Sequence, residues 1–183
     1  NRASRLHSLL DEDDYTSAKA SINNSHYTPL HVIEAMWAAV TRLGFNGGRV
    51  LEPAAGIGHF IGAMPEELAE RCRITAVEID RLSGRVLQAL YGPTGAAVHI
   101  APFEKTSFPN AWFDLVVGNV PFGNYKVADT SNRPYADFSI HNYFIARSLD
   151  LVRPGGLVVL ISSSRTLEAS SAKVRRYLAS QAH

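Results

Sequence analysis

The stretch Arg49-Val50-Leu51-Glu52-Pro53-Ala54-Ala55-Gly56-Ile57-Gly58 decides the fold. An apolar run that ends on an acid and breaks into two closely spaced glycines reads as a buried strand, Arg49–Ala55, entering a tight turn. Outward from it the chain alternates. Arg73–Asp80, Ala97–Ala101, Phe113–Val120 and Leu157–Ser162 read as four more strands, and Leu115, Val116 and Val117 form an unbroken apolar core in one of them. Helical patterns separate them at Phe60–Ala63 with Pro65–Arg71, at Leu82–Leu90 and at Phe138–Val152, where Ile140, Phe144, Ala146 and Leu149 share a face. An earlier helix starts at Pro29, carries Val32, Ile33, Met36, Trp37 and Val40 at helical spacing, and stops at Gly44, Gly47 and Gly48. A last one covers Ala172–Ser180. Continuously apolar strands alternating with helices predict a parallel sheet covered on both faces, a doubly wound α/β fold with right-handed crossovers. Ligands of such sheets sit at the carboxyl ends of the strands.

Composition sets bounds without choosing a function. The 183 residues suffice for one domain, and 46% hydrophobic with 19% charged residues is ordinary for a globular chain. A net charge of +1 neither demands nor forbids a nucleic-acid partner. The lone Cys72 excludes a disulfide framework within the chain, and no Cys/His cluster suggests a metal. No apolar run is long enough to span a membrane and no signal peptide is visible, so the expected location is the cytoplasm. Because the first residue is Asn1, the chain is expected to be a piece of a larger protein. Residues 1–26 read as an irregular arm with a short helix near Arg5–Leu10, and 27–183 as the main domain. The acidic run Asp11–Asp14 reads as a solvated loop.

Two features of the glycine turn point to a cofactor. Gly56 and Gly58 permit a sharp turn and close approach of a ligand to the backbone. Glu78, in Ala76-Val77-Glu78-Ile79-Asp80 at the end of the next strand, lies 20 residues beyond Gly58, where a carboxylate can accept both hydroxyl hydrogens of a ribose. A glycine pair with a downstream acid is a weak signal alone; a tight turn beside an exposed Glu accounts for it about as well. Ile61 occupies the place of the third glycine of the dinucleotide fingerprint, which argues against nicotinamide cofactors. Glu52, just before the glycines, can hold an ammonium group directly or through water.

The fourth strand ends Gly118-Asn119-Val120-Pro121-Phe122. This block resembles the Asn-Pro-Pro-Phe/Tyr signature of the class I S-adenosylmethionine-dependent amino-methyltransferases. Other family blocks follow in order over roughly residues 24–165. Asn24-Ser25-His26-Tyr27-Thr28-Pro29 is similar to the segment that closes over the methionine part of the cofactor, Glu52 to Gly58 to the main cofactor loop, Glu78-Ile79-Asp80 to the ribose-binding acid, and Arg153-Pro154-Gly155-Gly156 to the turn before strand five. With cofactor blocks first, the order resembles the gamma class of DNA adenine N6-methyltransferases. Asn24–Pro29, Ile33–Trp37 and His141–Leu151 resemble the methyltransferase region of large, often plasmid-borne bacterial proteins that also carry a helicase.

The resemblance implies a Rossmann-like sheet with two strands beyond the five visible, and S-adenosyl-L-methionine as cofactor. It implies a cofactor site of Tyr27, Thr28, Pro29, Glu52, Pro53, Ala54, Gly56, Gly58, Glu78, Ile79, Phe103, Glu104 and Asn119, and a catalytic block of Asn119, Val120, Pro121 and Phe122. It implies DNA as substrate, with helicase and recognition regions outside this chain, and no metal. The chemistry gives those residues a reason. An adenine amino nitrogen is a poor nucleophile because its lone pair is delocalised. The Asn119 side-chain oxygen and the carbonyl of Val120 can each accept one amino hydrogen, favouring a pyramidal nitrogen aimed at the methyl group. Asn119 is neutral and so not a general base. Phe122 offers a stacking face for an extruded base.

Two residues depart from the pattern. Val120 replaces a proline, which predicts a looser loop. Ala101-Pro102-Phe103-Glu104 stands where Asp-Phe is usual; Phe103 can still pack on the cofactor adenine, but the acid for its amino group is missing at Pro102 and rests on Glu104 or on nothing. His26, His31, His59 and His141 read as helix-end or surface histidines, Met36 and Trp37 as core, and Tyr125, Lys126, Arg133 and Tyr135 as a flexible polar loop with substrate-strand contact as the alternative. Ser162–Ser164 lacks the Gly-x-Ser-x-Gly elbow of serine hydrolases. Two further readings stay open beside DNA methylation: the same transfer to RNA or a protein glutamine, and a non-catalytic module of a helicase protein.

Overall fold

The computed structural model describes residues 2–16, 27–131, 133–164, 166 and 172–182; Asn24, Ser25 and His26 lie outside the described residues. Helix α1 (Arg2–Leu9) and a helical turn at 12–16 precede α2 (Leu30–Arg42). Then follow β1 (Gly48–Glu52), α3 (His59–Gly62), α4 (Glu66–Ala69), β2 (Cys72–Glu78), α5 (Arg81–Tyr91), β3 (Ala97–Ile100), β4 (Phe113–Asn119), α6 (Ile140–Leu151), β5 (Val152–Ile161) and α7 (Ala172–Gln181). The strands form one sheet in the order β3-β2-β1-β4-β5, every pairing parallel. The strand order reverses direction between β1 and β4, which opens the crevice where ligands of such sheets bind.

Neighbouring residues of the central strands feed opposite cores, as a sheet covered on both faces requires. Leu51 and Val116 join Phe113, Tyr143, Phe144 and Leu151 on one face. Val50, Leu115 and Val117 join Ile33, Trp37, Val40 and Phe60 on the other. Trp37 is 1% exposed, and its indole N–H donates to the Phe60 carbonyl at 3.0 Å, so burying the ring leaves no polar atom unpaired. Met36 packs at the edge of the same cluster. No helix among the described residues is long and apolar enough to cross a membrane.

Three expectations need correction. Arg153-Pro154-Gly155-Gly156 is not a turn before strand five but an irregularity inside it: Phe113 pairs with Val152 and Leu115 with Leu157, so these residues bulge opposite Asp114. Asp114 repays the lost ladder bonds by accepting from Arg153 Nε at 2.5 Å and from the Arg49 backbone N–H at 2.7 Å. The acidic run is not a solvated loop throughout. Asp14 is 3% exposed and pairs with Arg85 and, at 3.9 Å, with Arg81, both on α5. Finally, Tyr135 and Tyr143 tie the segment after the catalytic block into the core; Tyr135 is fully buried and donates its hydroxyl to Asp150, so this is not a loose polar loop.

Candidate functional site: a cleft at the β1–β4 switch point

The carboxyl ends of β1, β2 and β4 open into one cleft of about 850 Å³, a size suited to a nucleoside-bearing ligand. Its cofactor side is built by carboxylates holding backbone. Glu78 ends β2 with its side chain turned back to the glycine loop: Oε2 accepts from the Gly56 N–H at 2.6 Å and Oε1 from the Asp80 N–H at 2.7 Å. Asp80 in turn caps α5, accepting from the Ser83 N–H at 2.7 Å. The two glycines serve different needs. Gly56 has φ +56°, and a Cβ there would meet nothing within 4 Å, so its bare backbone faces open cleft. Gly58 has φ +88°, and a Cβ would lie 2.4 Å from Tyr91 Cε2 and 2.7 Å from Leu87 Cδ1, so its smallness seats α5 against the loop.

Glu52 lies at the cleft floor, 2% exposed, and its Oε2 has no hydrogen-bond partner among the described residues. Burial, reinforced by the neighbouring Glu78 charge, pushes its carboxyl well above the usual carboxylate range. Glu78 is raised as well, by burial, although the N–H groups of Asp80 and Gly56 pull it back. A buried, unsatisfied acid at the end of β1 is a strong acceptor for a cation. The donor set thus fits S-adenosylmethionine: Glu52 toward the ammonium group, Glu78 and the open Gly56 backbone toward the ribose, and an apolar floor at Phe103 toward the adenine. Phe103 is 2% exposed, with Phe144 at 4.8 Å between ring centroids.

On the acceptor side, Asn119 is the last residue of β4. Its Nδ2 donates to Thr28 Oγ1 at 3.1 Å, across 91 positions of sequence. The bond orients the amide, nitrogen toward Thr28 and oxygen away from it. Val120 is 1% exposed, and its N–H donates to the Ile161 carbonyl at 3.1 Å. A proline there has no N–H to give, so the departure extends the β4–β5 ladder by one bond, a restraint that the expectation of a looser loop did not include. Phe122, Tyr125 and Tyr27 stand 38%, 56% and 61% exposed at the rim.

Of the residues expected from sequence, Tyr27, Thr28, Glu52, Pro53, Ala54, Gly56, Glu78, Ile79, Phe103, Glu104, Asn119, Val120, Pro121 and Phe122 line this single cleft. Pro29 and Gly58 do not: Pro29 precedes α2 as its N-terminal cap position and Gly58 precedes α3. Pro102 is likewise absent from the lining, whereas Glu104 is present. His59 lies at the start of α3, in the cleft and 5.2 Å from the Tyr27 ring. His141 is a helix-end residue, but buried at 2% exposure rather than on the surface. Sequence reading missed the lining contributed by Ser83, Ile140 and Phe144. Each sits one or a few residues inside a helix whose start was recognised. No group of His, Cys, Asp or Glu among the described residues could hold a metal ion.

The sheet order and the cleft at its switch point are those of a class I S-adenosylmethionine-dependent methyltransferase domain. The Eco57I restriction-modification methylase family matches residues 89–183, and the chain belongs to that family. The chain is 37% identical over 153 residues to Defense against restriction protein B of Escherichia phage P1, covering 82% of this chain and 6% of that protein. It is 32% identical over 134 residues to the type II methyltransferase M.TthHB8I of Thermus thermophilus, covering 63% of this chain and 29% of that one. The chain therefore spans well under half the length of either relative. A crystal structure assigned as the modification subunit of a type I restriction enzyme from Vibrio vulnificus superposes with a TM-score of 0.69 at 19% identity, covering 97% of this chain and 43% of that one, a likeness of fold.

Proposed function

We propose that this domain methylates the exocyclic N6 amino group of adenine in DNA. The observation that carries the reading is the Asn119–Thr28 bond at the end of β4, which turns the amide nitrogen toward Thr28 and the amide oxygen to the other side, the orientation an acceptor for a substrate amine requires. When bound, S-adenosylmethionine supplies an electrophilic methyl group on a sulfonium sulfur. Asn119 Oδ1 and the Val120 carbonyl accept the two amino hydrogens and bring the nitrogen lone pair out of conjugation, while Phe122 stacks on the extruded base. Held this way by Asn119 and Val120, the nitrogen would take the methyl group as its bond to sulfur breaks, and the extra amino proton would go to water. The restriction–modification character of the family supports DNA as the acceptor. Target recognition and duplex opening fall to recognition and helicase regions outside residues 1–183, in the cytoplasm, with residues 27–183 as the catalytic unit and 1–26 as an arm.

The test is labelled methyl transfer to DNA, RNA and protein pools, read by mass spectrometry of the digested products. Label in N6-methyladenine from DNA is the expected result. Label confined to RNA adenine or to protein glutamine would reassign the acceptor while keeping the chemistry. Cofactor binding without transfer to any pool would leave a non-catalytic module.

A further inference from the structure

Arg147 lies in the middle of α6, 2% exposed, on a buried helix face. A buried guanidinium is costly unless its donors are used. Here both terminal nitrogens are directed at the backbone beneath the cofactor-adenine seat, while Nε has no hydrogen-bond partner among the described residues. Nη1 donates to the Glu104 carbonyl at 3.2 Å, and Nη2 donates to the Thr106 carbonyl at 2.5 Å and to Thr106 Oγ1 at 3.2 Å. The same guanidinium stacks on the Phe103 ring, 4.6 Å from its centroid. One side chain therefore fixes both the turn and the ring that floors the cleft.

The contacts continue away from the seat. Arg147 Nη1 donates to the Tyr143 hydroxyl at 3.1 Å, and that hydroxyl donates to Asp129 Oδ2 at 2.8 Å. Asp129 also accepts from the Ser131 N–H at 2.8 Å and from Arg133 Nη1 at 3.1 Å, which anchors the end of the cleft-lining segment that carries Tyr125 and Lys126. Burial raises the Asp129 carboxyl, but the hydrogen bonds from Ser131, Tyr143 and Arg133 outweigh it and hold the group ionised well below the usual range. The donors all point one way, from Arg147 through Tyr143 to Asp129, so each bond polarises the next. One end holds Phe103 and Glu104 of the cleft wall, and the other ends on Asp129, next to Ala128, the last of the four consecutive lining residues from Tyr125.

Resting on the reading of the cleft as a methyl-donor and adenine site, we propose that Arg147 and Tyr143 are positioning residues that couple the cofactor seat at Phe103–Thr106 to the substrate rim at 125–131, so that donor and DNA bind cooperatively. Neither residue touches the reacting atoms. Tyr143→Phe removes the central link alone, keeping the ring in the core.

Calorimetry with S-adenosylhomocysteine, in the presence and absence of an adenine-containing oligonucleotide, reads the coupling. In the unaltered protein the oligonucleotide should tighten S-adenosylhomocysteine binding by about fivefold or more, the lower range of ordinary coupling between sites. In Tyr143→Phe the two affinities should become equal, while affinity without DNA stays within about threefold. Coupling that survives Tyr143→Phe, or that is missing from the unaltered protein, would overturn the proposal and leave the methyltransferase reading standing. Amide exchange on the ligand-free protein gives a reading that needs no ligand. Tyr143→Phe should speed exchange at 103–106 and at 125–131 together; a change at one segment only, or at neither, means that no link exists. Absence of any cofactor binding to the unaltered protein would strike the methyltransferase reading instead.

Discussion

The two walls of the cleft solve the same positioning problem with different chemistry. On the β1–β2 wall, ionisable side chains hold the backbone: Glu78 binds the Gly56 and Asp80 N–H groups and Asp80 caps α5, all within a short span of chain. Glu52 and Glu78 on this wall are buried and raised toward their neutral forms, a preference that a cationic ligand reverses. On the β4–α6 wall the residue proposed to orient the substrate, Asn119, is neutral and is held by a side chain 91 positions away. Behind this wall, α6 carries a tyrosine hydroxyl and a guanidinium, whose hydrogen bonds run to the Glu104 and Thr106 carbonyls and to Asp129. The difference matches the tasks. A cofactor with fixed charges is bound by electrostatics, whereas a neutral amine must be oriented without being protonated.

The comparison breaks most sharply at Asn119. Asn119→Ala should lower methyl transfer by about 10²–10³-fold, the usual cost of removing one oriented polar group from a reacting centre, with cofactor affinity changed little. Loss of cofactor binding in step with activity would erase the division of labour between the walls. On the other wall, Glu78→Ala should weaken the cofactor by about 2 kcal/mol, roughly 30-fold, as expected for a lost charge-assisted acceptor. Glu78→Gln should fall between, because it keeps one acceptor oxygen for the loop or the ribose. Calorimetric titration decides it, and an unchanged affinity in both variants would remove Glu78 from the site.

The wall that was legible in the sequence is the one whose contacts are local. Glu52 and Gly56 are near neighbours in the chain and Glu78 ends the very next strand, so their positions follow from strand ends and glycine spacing. The five strands were legible for the same reason, as unbroken apolar runs. What escaped was decided by distant partners. Asp14 looked solvated because Arg81 and Arg85 lie far along the chain. Pro154-Gly155-Gly156 carries turn residues, yet pairing with β4 on both sides keeps it within β5 as a bulge. Arg147 and Tyr143 are polar positions on a helix, which ordinarily marks a solvent face; their burial depends on carbonyls 41 to 43 residues away and on Asp129. Val120 read as a lost proline, because its bond to Ile161 depends on strand pairing that no local pattern specifies.

Thr28 tests whether the neutral wall depends on amide orientation. Thr28→Val keeps the shape and removes the acceptor for Asn119 Nδ2. Turnover should drop by about fivefold, the worth of a typical net hydrogen bond of about 1 kcal/mol, while Thr28→Ser stays near the parent. Steady-state rates with saturating cofactor separate this from a binding defect. Equal losses in the valine and serine variants would point to packing rather than orientation.

Glu52 gives the smallest effect and the most direct measure of the charged wall. Its carboxyl is raised in the folded chain above the ordinary value of 4.5, so the folded state binds more protons than the unfolded one as pH rises past that value. Stability of the ligand-free protein should accordingly fall with rising pH, from about the unfolded pKa up to the folded one. The cofactor ammonium reverses the preference, because it favours the ionised carboxylate. Cofactor affinity should therefore increase through the same window, and binding should release protons. Titrations in two buffers of different ionisation enthalpy measure that release. Glu52→Gln should abolish it and flatten the pH profile of affinity. A profile that keeps its slope in Glu52→Gln would place the titrating group elsewhere, with Glu78, the other raised acid of this wall, as the next to replace.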